Sequence, residues 1–269
     1  SWNMPSVRIG ASALAGGPAT ISYRARGVGD TVVLFLHGGW GYEVFPFDAQ
    51  TRMFEDWYRI LILDRSGHGA STPVVALPVD FHHRAADEMR AFLDELDVER
   101  AVWWGHSDGA VIAAIAAIEM PERVEAVVLE AMHLYRNKPA SRQFFEQMAS
   151  APDSFGDSLK ATLKLDHGER WRRVLRLDGE AWLNFASTSE CVTEDLYAGM
   201  LPSLVIPTML IHGGRDPRSE PGEFAAVRAC LPDATTLFLP SAGHSPHSEL
   251  NSADIVSRVA GAFLDAVHS

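Results

Sequence analysis

Six short apolar runs recur along the chain, and the helical patterns between them constrain the fold more than any other feature. The runs are 31–36 (TVVLFL), 59–63 (RILIL), 101–104 (AVWW), 124–129 (VEAVVL), 205–211 (VIPTMLI) and 235–239 (TTLFL). Runs of this length without polar alternation suit strands buried on both faces, as in a parallel sheet. Ahead of them, 19–26 (ATISYRAR) alternates apolar and polar like a half-exposed antiparallel strand. Between the runs, 80–96 places Phe81, Ala85, Met89, Phe92, Leu93 and Leu96 on one side. Further helical patterns cover 108–119, 222–230 and 252–267. This alternation implies an α/β fold: a doubly wound, mostly parallel sheet of about eight strands with helices on both faces. A chain of 269 residues suits one such unit. At that length roughly three quarters of the unfolded surface is buried on folding, so no disulfide or metal staple is required.

The alternation stops between about Tyr135 and Leu201, where helical pieces are punctuated by Pro and Gly. Structureless loops of that length are uncommon in a compact domain, so the expectation is an inserted helical subdomain. The boundaries follow: a core of 1–133 and 202–269, and a helical lid over 134–201. The insertion is rich in aromatic residues. Most should fill its own small core, with a few, Trp182 and Phe185 foremost, facing a cleft beneath.

Charge and cysteine content narrow the classes of partner. Thirty-five acidic against 23 basic residues give a formal charge of −12, which repels nucleic acid and anionic lipid. Two cysteines, Cys191 and Cys230, make neither a disulfide framework nor a CxxC motif. No apolar stretch has the length of a membrane span. The opening SWNMPSVRIG has no cationic stretch followed by an apolar one, so it does not read as a secretory signal. The expectation is a cytoplasmic monomer or homodimer with no nucleic-acid or membrane partner.

The chemistry is concentrated in Gly105-His106-Ser107-Asp108-Gly109. It follows the run AVWW and opens the small-residue helix AVIAAIAAI, the strand–turn–helix setting of a nucleophile elbow. Glycines flank the serine because a sharp, strained turn brings backbone too close for larger side chains. The strain lifts the hydroxyl above the carboxyl edge of the sheet. It also puts the N–H of Asp108 at a helix N-terminus, where it can stabilise an oxyanion.

With these residues the chain resembles the α/β-hydrolases of the lid-bearing type, over nearly its whole length. The supporting pieces are His37-Gly38-Gly39-Trp40, Asp64-Arg65-Ser66-Gly67-His68-Gly69, the elbow, Gly213-Gly214-Arg215-Asp216 and Ala242-Gly243-His244. In that fold the triad runs Ser, acid, His, an order that Ser107, Asp216 and His244 obey, each just beyond an expected strand. His244 would move the serine proton and Asp216 would fix its tautomer. The resemblance puts the second oxyanion donor at the N–H of Gly39, with Trp40 as the fallback. Two rivals stay open: Glu130 for the acid, since it ends the strand VVLEA, and His247 for His244.

The other histidines read as structural. His37 and His68 brace Gly-rich loops, and His106 packs behind the serine. His82 and His83 are adjacent, so on a helix they point apart and make a poor metal pair. No HExxH or carboxylate–His cluster appears, so neither a catalytic metal nor a cofactor is expected. A serine at the elbow disfavours the dehalogenase and epoxide-hydrolase chemistry of carboxylate-bearing relatives. The expected function is a serine esterase or lactonase acting on a small, neutral, mostly apolar substrate, with Trp40, Trp182 and Phe185 around it. Asp108 would disfavour anions if it faced the pocket. The alternatives are a C–C bond hydrolase, a cofactor-free dioxygenase or haloperoxidase-like enzyme, and a non-catalytic small-molecule receptor.

Overall fold

The computed structural model describes residues 2–269. The first part of the chain runs β1 (Ser6–Ser12), β2 (Gly17–Arg26), β3 (Val32–Leu36), α1 (Asp48–Phe54), β4 (Arg59–Leu63) and α2 (Phe81–Glu95). The elbow follows, with β5 (Ala101–His106), α3 (Asp108–Glu119) and β6 (Val124–Glu130). Three helices come next: α4 (Arg142–Ser150), α5 (Asp157–His167) and α6 (Trp171–Thr188). The chain ends with β7 (Thr208–Gly213), α7 (Glu223–Cys230), β8 (Thr235–Leu239) and α8 (Ala253–His268).

The strands form one eight-stranded sheet in the order β1-β2-β4-β3-β5-β6-β7-β8. β2 pairs antiparallel with β1 and β4, and every other pairing is parallel. β3, β5 and β7 are buried along their whole length, which is why they read as unbroken apolar runs. Their side chains alternate between two cores. Leu34, Leu36 and Trp103 join the α2–α3 side, whereas Val33, Phe35 and Trp104 join the α1–α8 side. Helix α3 is buried from Asp108 to Ala117, since its alanines let it sit close to the sheet with α2 against it.

Two local expectations need correction, and one strand was not foreseen. The run 235–239 forms β8, but as an edge strand with no residue fully buried, because no strand pairs beyond it. β7 starts at Thr208 rather than 205, since Pro207 has no N–H for the ladder and Val205 is exposed. β1 was not legible at all: of SVRIGAS only Ile9 and Ser12 are buried. Among the described residues no helix is long and apolar enough to cross a membrane.

The parallel register places the carboxyl ends of β3, β5, β6, β7 and β8 along one edge. Leu36 lies opposite Gly105, His106 opposite Glu130, and Glu130 opposite Ile211. The loops leaving these strands carry Gly39, Ser107, His133, Asp216 and His244. The three helices between β6 and β7 adjoin the same edge. There α4 packs along α6, and Gly179 brings the two helices into close contact, since a Cβ on it would lie 2.7 Å from the carbonyl oxygen of Phe145.

Candidate active site

The elbow is as tight as its glycines imply. Ser107 has φ 58° and ψ −120°, a region that L side chains rarely adopt. A Cβ on Gly105 would stand 2.0 Å from the Gly109 carbonyl oxygen, and one on Gly109 would stand 2.2 Å from that of Leu36. No larger residue fits either position without moving backbone.

The sequence-derived trio comes together at this turn. His244 Nε2 lies 3.2 Å from Ser107 Oγ, and His244 Nδ1 lies 2.9 Å from Asp216 Oδ1. Burial works to raise the Asp216 pKa, but the charge and hydrogen bond of His244 and the N–H of Arg218 outweigh it. The carboxyl is therefore held well below the usual range. Both rivals are engaged elsewhere, with each other. Glu130 accepts from the backbone N–H of His247 at 2.9 Å and from its Nδ1–H at 2.8 Å, and Trp104 Nε1 donates to the same carboxylate.

A second imidazole reaches the serine, and sequence reasoning missed it. His133 Nε2 stands 3.0 Å from Ser107 Oγ, three residues past the end of β6. Its only sequence signal was position, just beyond a strand at the carboxyl edge, as for Asp216 and His244. Burial, then the charge of Lys138, pushes the His133 pKa well down, so the ring is neutral. Serine has one hydroxyl proton for two rings. If Oγ–H points to His244, His133 must present Nε2–H to the oxygen.

The loop after β3 is braced from below and from α5. His37 Nε2 accepts the N–H of Arg65 at 3.0 Å, and its Nδ1–H donates to Gly38 O at 2.7 Å. His68 Nε2–H donates to Gly39 O at 3.2 Å. At the end of α5, Asp166 accepts the N–H groups of Tyr42 and Glu43, and His167 Nε2–H donates to Trp40 O at 2.8 Å. Gly39 is closed in: a Cβ there would overlap the Asp178 carboxylate at 2.1 Å.

Asp108 is a buried residue at the cavity wall, and its carboxylate is engaged by neighbours. His82 Nε2–H donates to its Oδ1 at 2.8 Å, and Asp178 from α6 hydrogen-bonds it as well. Burial, then the charge of Asp108, drives the Asp178 pKa well up, while the hydrogen bonds of His82 and Asp178 hold Asp108 ionised. The uncharged form of Asp178 is thus favoured beside the Asp108 carboxylate. His83, as expected, points the other way, to Glu119 on the surface.

A cavity of about 220 Å³ opens over Ser107. Trp40 and Trp182 line it, as do Phe45, Phe144 and Phe145, which the sequence did not single out. Phe185 does not. It is fully buried, stacked on Phe81 and His82, because its place on α6 turns it into the helix–core interface. His106, Glu130 and His247 converge closely enough to hold a metal, yet both nitrogens of His247 face oxygen acceptors and His106 Nε2–H donates to His244 O. With those ring nitrogens committed, the trio does not fit a metal ion.

Six buried imidazoles, His37, His68, His82, His106, His133 and His212, have pKa values pushed down, burial being the first cause in each. For His106 the value is about 3. The unfolded chain takes up these protons below about pH 6.5 while the native state does not. The stability they contribute is therefore present above that pH and lost as pH falls. Glu43, Asp64 and Asp178, with their raised pKa values, act in the opposite sense, three groups against six. The melting temperature should fall markedly between pH 7.5 and pH 5; a flat profile would show that these rings protonate freely in the native state.

The model of the family described as "Alpha/beta hydrolase family" matches residues 33–258. The chain is 28% identical over 249 residues to a 2-hydroxy-6-oxononadienedioate/2-hydroxy-6-oxononatrienedioate hydrolase of Pseudomonas sp, covering 81% of this chain and 83% of that protein. It is 26% identical over 274 residues to a non-heme chloroperoxidase of Burkholderia pyrrocinia, covering 89% and 95%. A thermophilic esterase from Thermogutta terrifontis shares the fold, with a TM-score of 0.76 at 20% identity over 98% of this chain and 100% of that one. The eight-stranded sheet, the strained elbow and a family match spanning most of the sequence agree: the chain belongs to the alpha/beta hydrolase family.

Proposed function

We propose that the chain is a serine hydrolase that cleaves a small carboxylic ester or lactone through an acyl-Ser107 intermediate. The observation that carries this reading is the unbroken line of contacts from Ser107 Oγ to His244 Nε2, at 3.2 Å, and from His244 Nδ1 to Asp216, at 2.9 Å. His244 takes the serine proton as Oγ attacks the carbonyl carbon, and returns it to the leaving alcohol or ring oxygen. Asp216 keeps the Nδ1–H tautomer and stabilises the imidazolium. The N–H groups of Gly39 and Asp108 receive the oxyanion, with Trp40 N–H as the fallback donor. A water activated by His244 then releases the acid. His133 adds an Nε2–H toward Oγ, which steadies negative charge there on attack and again when Oγ leaves the acyl group. The segment 134–201 acts as the lid, roofing Ser107 through α4 and α6.

The test is direct. A fluorophosphonate should label Ser107, and an activated ester should give a burst of product equal to the enzyme present. No label and no burst would overturn the reading, and oxygen uptake or halogenation in their place would favour the dioxygenase or haloperoxidase-like alternative. Across a panel of acyl chains, rates should rise by about 0.8 kcal/mol per buried methylene until the cavity is full, then drop. Trp182→Ala should move that optimum to longer chains. Phe185→Ala should instead cost about 3–5 kcal/mol of stability with the optimum unmoved, since that ring lies in the core.

A further inference from the structure

Helix α5 is mostly polar surface. Of its 11 residues only Leu163 and His167 are buried, yet its last turn holds the side chains of Asp166 and His167 at 1% and 0% exposure. A carboxyl group and an imidazole so enclosed need partners, since burying an unpaired polar group costs free energy. Theirs lie in the loop after β3. Asp166 Oδ2 accepts the N–H groups of Tyr42 at 2.8 Å and Glu43 at 2.9 Å, and His167 Nε2–H donates to Trp40 O at 2.8 Å. The same corner grips the loop after β4: His167 Nδ1 accepts the N–H of Gly69 at 2.8 Å, and Arg170 donates to Gly69 O at 2.7 Å. Gly41, at φ +85°, marks the contact in the sequence. A Cβ on it would lie 2.5 Å from His167 Cε1 and 2.6 Å from Asp166 Oδ2.

The loop so held is the one that presents oxyanion donors. The C=O and N–H of a planar trans peptide group point in opposite directions. His37 Nδ1–H on Gly38 O, at 2.7 Å, therefore turns the N–H of Gly39 the other way. His68 Nε2–H on Gly39 O, at 3.2 Å, does the same for Trp40. Both residues line the cavity, and neither N–H has an acceptor among the described residues. These anchors fix one side of the Gly39–Trp40 pair, and α5 fixes the other through Trp40 O and the N–H groups of Tyr42 and Glu43. The loop's own closing bond, Gly41 N–H to Gly38 O, is long at 3.3 Å. Without the α5 bonds the Trp40 peptide is free to swing, and it carries the neighbouring donors off the geometry that an oxyanion requires.

We infer that Asp166 and His167 are positioning residues for the oxyanion hole, so that α5, which lines no part of the cavity, acts on the rate of acyl transfer. The inference rests on the serine-hydrolase reading, with Gly39 and Trp40 as donors. Neither side chain meets the substrate, so ground-state binding has little to lose. The charge that develops on the carbonyl oxygen in the transition state has much to lose, because the donors that meet it are held from α5.

Two probes test this on the whole chain. p-Nitrophenyl butyrate reports turnover. Phenylboronic acid, whose boron adds Ser107 Oγ and becomes tetrahedral with an oxygen at the oxyanion position, reports transition-state geometry. Asp166→Ala and His167→Phe should each lower kcat on the order of 10- to 100-fold with KM little changed, and weaken boronate binding by a similar factor. Asp166→Asn keeps an acceptor for Tyr42 and Glu43, and His167→Gln keeps a donor for Trp40 O, so each should recover most of both losses. Arg172→Gln, which breaks an exposed ion pair of α6 with Asp153, should change neither. A lowered melting temperature with kcat and boronate affinity unchanged overturns the inference, as does a loss confined to KM. His167→Phe keeps a ring in the buried place and carries the test should Asp166→Ala not fold. A wild type that neither cleaves the ester nor binds the boronate brings down the hydrolase reading, and the inference with it. An active wild type with unaltered variants brings down the inference alone.

Discussion

Ser107→Ala should abolish turnover of any ester the protein accepts, by on the order of 10⁶-fold, and leave the fold intact. The size of the loss follows from the geometry. Ser107 Oγ is placed against both His244 Nε2 and His133 Nε2, and without it His244 has no hydroxyl to deprotonate and His133 no oxygen to steady. The members of such a unit do not contribute separately, so losing the nucleophile costs about as much as losing all of them. Stability should respond in another way. At φ 58° and ψ −120° the serine is strained, so Ser107→Gly should be inactive yet more stable by about 1 kcal/mol. Labelling by a fluorophosphonate, turnover and thermal unfolding, read on the three proteins together, separate the chemical role from the backbone role. Residual turnover above a thousandth of wild type in Ser107→Ala would place the nucleophile elsewhere.

The second large effect separates two buried carboxylates. Asp216→Asn should lower kcat on the order of 10⁴-fold with little change in stability. The amide presents a donor to His244 Nδ1 and selects the wrong tautomer for accepting the serine proton. Glu130→Gln should do the reverse. Glu130 and His247 are both wholly buried and ion-paired at 2.8 Å, so removing the charge leaves an unmatched partner in the core. A cost of about 3–5 kcal/mol in unfolding free energy is expected, with turnover of the folded fraction within tenfold of wild type. Urea unfolding alongside kcat decides the matter, and a larger fall in kcat for Glu130→Gln would exchange the two roles.

The contrast between these carboxylates shows where local signals end. Ser107 could be read from the sequence because everything that makes it an elbow lies within five positions: the strand AVWW before it, a glycine on each side, and the small-residue helix after it. The parallel sheet was legible for the same reason, since burial on both faces writes itself into consecutive residues of β3, β5 and β7. Asp216 and His244 followed from strand ends, although Glu130 met the same local description. Telling them apart depends on which imidazole each carboxylate meets, and that is set by the loops beyond β7 and β8.

His133 and Asp178 lie on the other side of that boundary. His133 reaches Ser107 because β6 is paired with β5 in a register that sets Glu130 opposite His106, and no local pattern announces it. Asp108 takes up His82 from α2, 26 positions away, and Asp178 from α6, so whether its charge faces a ligand could not be read beside the elbow. Trp182 and Phe185 are three positions apart on one helix, yet one lines the cavity and the other is sealed against Phe81. β8 differs from the other apolar runs only in having no neighbour beyond it. Periodicity and backbone strain act over a few residues and are therefore written in the sequence. The contents of a cavity, the partner of a buried charge and the exposure of a strand depend on which segments the register and helix packing bring side by side.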